Sequence, residues 1–171
     1  SGPQNAVIYT DENGNLFKYS DGSRAWRNQN PGNLMPGVVS RRNGQIGVAK
    51  FAIFPNYETG HRALIDLLKT SYGNSSLHQM IHAYAPGHEN ETEKYFRFLQ
   101  ERTGVMNNKK IKEFSEIEFE KLWRAIENME GWEEGKVEKM PDEKHSEKKQ
   151  IISVKKVHRQ TNPSGSVRGI F

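Results

Sequence analysis

The spacing of apolar residues changes at Pro55, and no other feature of this sequence restricts its fold as much. Up to Phe54 apolar and polar positions largely alternate, the period of half-buried strands. "AVIYTDENGNLFKYSDG" alternates about Asn13-Gly14 and predicts a β-hairpin. "VVSRRNGQIGVAKFAIF" predicts a second hairpin with Asn43-Gly44 at its tip. Between them, "WRNQNPGNLMPG" combines prolines, glycines and amides, and can form neither a helix nor a central strand.

After Pro55 the apolar residues recur every three or four positions. "NYETGHRALIDLLKTSYG" places Ala63, Leu64, Leu67 and Leu68 on one helical face, with Gly73 to end it. "SSLHQMIHAYAPG" has a serine cap, a face of Leu77, Met80, Ile81 and Tyr84, and a stop at Pro86. "ENETEKYFRFLQERTG" starts from an Asn90 cap and buries Tyr95, Phe96 and Leu99. "SEIEFEKLWRAIENMEG" turns Phe119, Leu122, Trp123 and Ile126 inwards. The class is therefore α+β, a small β-hairpin region followed by about four helices. Residues 1–131 form the expected domain. Residues 132–171 are a charged extension with one short strand, "IISVKKVHR", and a turn-rich end.

With 34% hydrophobic residues the chain can fill one modest core. No run approaches the roughly 18 apolar residues of a membrane span, and no segment resembles a signal peptide. The opening "SGP" reads as a cloning remnant, so a piece of a longer protein is expected. The lack of cysteine excludes disulfides, thiolate nucleophiles and cysteine-held zinc. Net charge is +4, but residues 131–171 hold nine Lys or Arg against six Asp or Glu. The earlier part is close to neutral, which argues against a nucleic-acid stripe. Nucleophile-elbow, phosphate-loop and dinucleotide motifs are all absent.

Three polar clusters remain. Arg27, Asn28, Asn30 and Asn33 offer donors and acceptors suited to a hydroxyl- and acetamido-rich glycan. The same residues also suit left-handed and Asx-turn positions in a stiff connection. Glu58 falls in the first turn of a helix just after a strand. There it could act as a general acid, or simply answer the helix dipole. His78 and His82 share a helix face at i, i+4, a spacing compatible with zinc but equally with packed histidines. Glu89, Glu91 and Glu93 lie nearby, as a capping cluster or a source of carboxylate.

Together, "WRNQNPGNL", "FAIFPNYETGHRALIDLL" and "IHAYAPGHENETEKYFRFLQERTGV" resemble lysozyme-like domains of phage virion proteins and secreted antibacterial effectors. They are more distantly similar to glucosaminidase-type autolysins. The resemblance covers roughly residues 20–105. It implies a lysozyme-like fold and a metal-free glycoside hydrolase, of muramidase or glucosaminidase type, that cuts peptidoglycan strands without a cofactor. Arg27, Asn28, Asn30 and Asn33 would line the cleft, with Tyr84, Glu89 and Tyr95 along its helical wall. Glu58 is the first candidate for the acid and Glu89 the second, with Glu12 and Asp21 as outsiders. Lysozyme-like enzymes usually hold this glutamate at the end of a helix before the β region, and no such helix or "ES-x-x-G" occurs here. Peptidoglycan is the expected partner, beside an immunity or delivery protein, with no nucleic acid and no membrane span. Delivery to the bacterial periplasm or cell wall follows from that reading. Two rivals stand beside it: a non-catalytic peptidoglycan-binding module, and a zinc-dependent wall amidase or peptidase using His78, His82 and a carboxylate.

Overall fold

A computed structural model describes residues 5–141, 151–157, 160–161 and 167–170. The fold is α+β. It divides into two compact units, one of residues 1–63 with 131–171 and the other of residues 64–130.

The first unit is built on a four-stranded sheet. Strands β1 (Ala6–Asp11) and β2 (Leu16–Ser20) form the expected hairpin, with Val7 opposite Tyr19 and Tyr9 opposite Phe17. Its turn is held by Asp11, whose carboxylate accepts from the backbone N–H groups of Asn13 and Asn15, and Gly14 takes φ +84°. Alternation along both strands turns Val7, Tyr9, Phe17 and Tyr19 onto one face, where they meet Trp26 and Ile53. Tyr19 stacks on Trp26 at 4.8 Å, and Tyr9 meets Tyr19 edge-on at the same distance. Each such ring withdrawn from water stabilises the unit by about 1.5–3 kcal/mol.

After the hairpin come two short helices, α1 (Arg24–Arg27) and α2 (Val38–Arg42), then a small hairpin of β3 (Gly47–Ala49) and β4 (Phe51–Ile53). Helix α2 corrects the expected second hairpin. Val38 and Val39 favour strands, but the buried Ser40 decides otherwise. Its hydroxyl accepts the Gly37 N–H at 2.8 Å and donates to Gln45 Oε1 at 2.6 Å, closing a helical turn. Asn43-Gly44 is consequently a helix C-terminus, with Gly44 at φ +97°, and the hairpin tip moves to Lys50 at φ +67°. The same dipeptide serves either turn because both need a residue of positive φ.

The segment after Gly131 holds more strand than the sequence suggested. Strand β5 (Lys136–Lys139) pairs antiparallel with β2, and β6 (Ile151–Val157) pairs parallel with β1, giving the order β5-β2-β1-β6. Strands β7 (Gln160–Thr161) and β8 (Val167–Ile170) pair with each other, where only turns were expected. His158 and Arg159, at the end of the expected late strand, lie outside the described residues.

The chain enters the second unit within α3 (Tyr57–Asp66), which runs on as a wider π turn over Leu67–Ser71. Gly73 follows, packed so closely that a Cβ would lie 2.5 Å from the Lys69 carbonyl oxygen. Helices α4 (Leu77–Tyr84), α5 (Glu89–Thr103) and α6 (Glu116–Glu130) follow, α5 packing against both others. The expected inner faces are buried or half-buried throughout. Ser76 caps α4 in a reciprocal arrangement with Gln79. The cap of α5 is His88, not Asn90, because the glutamates after Gly87 already lie inside the helix. Gly104 and Gly131, at φ +71° and +88°, end the last two helices as expected. Among the described residues no helix is long and apolar enough to cross a membrane.

Candidate functional site

In the first unit the polar loop after α1 folds back along β4. Arg27 Nη1 donates to the carbonyls of Asp21 and Gly22, at 3.2 and 2.8 Å. Burial and the neighbouring Arg24 lower its pKa, and Asp21 opposes them. Asn28 Nδ2 donates to the Ala49 carbonyl, and Gln29 Nε2 to that of Trp26. Asn30 is fully buried; its Nδ2 donates to the Leu34 and Ala52 carbonyls, and its Oδ1 accepts the Leu34 N–H. Asn33 is half-buried in the left-handed region at φ +48°. Backbone bonds from Phe54 to Asn28 and from Ala52 to Leu34 complete the strap. The side chains of Arg27, Asn28 and Asn30 thus face the backbone of their own unit, in the roles that turn chemistry gives such residues.

The strap braces the turn carrying Glu58. Gly60 lies against it so tightly that a Cβ would stand 2.3 Å from the Gln29 carbonyl oxygen and 2.9 Å from Pro31. Asn56 caps the same turn, its Oδ1 accepting the Thr59 N–H at 2.7 Å. Glu58 itself is exposed. Beside it Tyr57 stacks on His61 at 5.6 Å and meets Trp132 edge-on at 5.2 Å, all three half-buried. Glu58 follows Tyr57 in the first turn of the same helix, and a carboxylate at a helix start can give a proton to a ligand that rests on the neighbouring rings. Glu12 and Asp21 are also exposed, one in the hairpin turn and the other just after β2.

The second unit carries Tyr84, Glu89 and Tyr95. Tyr95 is buried and donates to Glu130 Oε2 at 2.7 Å. Burial raises its pKa well above the ordinary value, and the Glu130 charge adds to this. Burial raises Tyr84 likewise, Glu130 again contributing. Glu89 is exposed in the first turn of α5, where it meets the positive end of the helix dipole.

A tighter cluster lies on α4 and α5. Glu93 Oε2 lies 2.8 Å from His78 Nε2 and 2.7 Å from His82 Nε2, and the two nitrogens are 3.2 Å apart. Hydrogen bonds from His82, then His78, hold the Glu93 carboxyl below its usual range. These three side chains are the group among the described residues whose donor atoms converge closely enough to hold a metal ion.

Sequence reasoning offered Glu93 as one of three nearby glutamates but could not single it out as the partner of both histidines, because it comes from another helix and no spacing rule connects them. Trp132 was equally hidden, at the start of a segment read as a charged extension. Gly60 did carry a signal: a glycine inside a helical pattern marks a close approach of backbone.

No family model matches the chain. It is similar to protein P5 of Pseudoalteromonas phage PM2, with 31% identity over 100 residues. The match covers 54% of this chain, which spans 62% of the length of that relative. The chain therefore has a distant phage relative, the coarser part of the expected resemblance.

Proposed function

We propose that the chain is a virion-associated module that cleaves the glycan strands of peptidoglycan, with Glu58 as its general acid. One observation carries this reading: Glu58 stands exposed on a turn locked by Asn56, Gly60 and the buried strap, beside the half-buried rings of Tyr57, His61 and Trp132. Sugar rings present apolar faces that lie well on aromatic side chains. A strand seated on this shelf brings a glycosidic oxygen to the Glu58 carboxyl and screens it from water. The acid delivers its proton to that oxygen as the bond to the anomeric carbon breaks, and one water molecule adds its hydroxyl to that carbon and returns its proton to the Glu58 carboxylate. The buried amides of the strap fix the position of the acid, and the shelf offers the contact surface. The phage relative and the sequence resemblance support a virion setting.

The test uses purified sacculi, with soluble products read by mass spectrometry. The intact chain releases disaccharide-containing fragments, and Glu58→Gln lowers the rate by about 10²–10⁴-fold, the usual contribution of a general acid. Activity that survives excess chelator separates this reading from a metal-dependent amidase or peptidase. Intact glycan strands despite firm pelleting on sacculi would establish a binding module instead.

A further inference from the structure

We propose that His78, His82 and Glu93 form a binding site for one divalent transition-metal ion, zinc by ligand type, that joins α4 to α5. The inference goes beyond the glycan reading and does not depend on it. The capped first turn of α4 sets His78 and His82 one turn apart on the same face. Phe96 meets the His78 ring edge-on at 4.8 Å and fixes its orientation. Glu93 then brings one carboxylate oxygen to both rings from α5.

Proton placement alone leaves a conflict in this triangle. If both Nε2 atoms carry hydrogen, two donors face one oxygen and also approach each other to 3.2 Å. If one carries hydrogen, the other presents a lone pair to the carboxylate oxygen at hydrogen-bond distance. A cation among the three atoms removes both conflicts. Tetrahedral zinc holds its ligands at about 2.0–2.1 Å, which sets neighbouring ligand atoms about 3.3 Å apart. The two nitrogens already meet that spacing at 3.2 Å. The oxygen sits 2.7 and 2.8 Å from them, so it needs to withdraw by about half an ångström. Two imidazoles and a carboxylate suit zinc better than calcium or magnesium, which prefer oxygen ligands. The His78 side chain is 50% exposed, which leaves the fourth position open to water. Beside it runs a groove lined by Ser76, Phe96, Arg97 and Gln100.

The full chain, stripped with chelator, is titrated with zinc chloride at neutral pH in a calorimeter. One equivalent binds, and His82→Ala or Glu93→Gln weakens it at least about tenfold, whereas His88→Ala leaves it unchanged. Cobalt in place of zinc gives the visible absorption of a tetrahedral site in the unaltered chain, a readout free of any folding defect in a variant. At equal zinc concentration, zinc also raises the thermal midpoint of the unaltered chain by more than that of Glu93→Gln. Equal zinc binding by the His82→Ala and Glu93→Gln variants, or no saturable binding by the unaltered chain, overturns the proposal.

Discussion

Asn30 shows how a residue that looks made for a ligand can serve the fold. An amide has two donor hydrogens and an acceptor oxygen, and here the nitrogen reaches two carbonyls and the oxygen one N–H, all of the same unit. Replacing it with alanine leaves the Leu34 and Ala52 carbonyls and the Leu34 N–H without those bonds inside a buried strap. Asn30→Ala is expected to cost about 2–4 kcal/mol of stability, read from the denaturant midpoint. If the strap braces the Glu58 turn, the same variant also slows wall cleavage under conditions where it stays folded. The residue types in this loop were plain in the sequence; the direction of their side chains was not. Asparagine carries the same groups whether it faces a sugar or its own backbone, and only burial tells the two apart.

At the scale of elements, local signals were legible and pairing partners were not. The first hairpin, the serine cap of α4 and the glycine ends of α5 and α6 follow from contacts a few residues apart. Residues Val38–Arg42 failed that reading because a side-chain bond from Ser40 to Gln45 outweighs the strand preference of two valines. Strand β5 failed it because a charged outer strand exposes three of its four residues and half-buries only Val137. Helices α5 and α6 are tied by the bond from Tyr95 to Glu130, which makes their pairing sensitive to alkali. The folded pKa of Tyr95 is raised, so this contribution is complete below the unfolded value near 10 and is lost as pH rises through the folded one. Tyr95→Phe is expected to cost about 1 kcal/mol at neutral pH, and to flatten the fall in stability above about pH 10. Denaturant midpoints measured across that range check both signs.

For the whole molecule, the first unit is assembled from both ends of the sequence. Strands β1 and β2 lie in the middle of a sheet whose outer strands come from after Gly131. A chain ended at Gly135 lacks β5 and β6, and both sides of the hairpin lose their neighbours. Such a chain is expected to lose the near-ultraviolet circular dichroism of its packed Tyr9, Tyr19 and Trp26 rings, while keeping the far-ultraviolet signal of α4, α5 and α6. Unchanged ring signals would mean that β1 and β2 hold their core unaided.

The parallel register of β1 on β6 also sets a timetable. Ala6 waits for Ile151, about 145 residues later in synthesis. At about 5–20 residues per second on the ribosome, that is roughly 7–30 s during which one flank of β1 is open to strangers. The helices of the second unit are all made within that interval, so a nascent chain carries three finished helices and an unfinished sheet. Crowded synthesis is a circumstance in which that open flank can find the wrong partner.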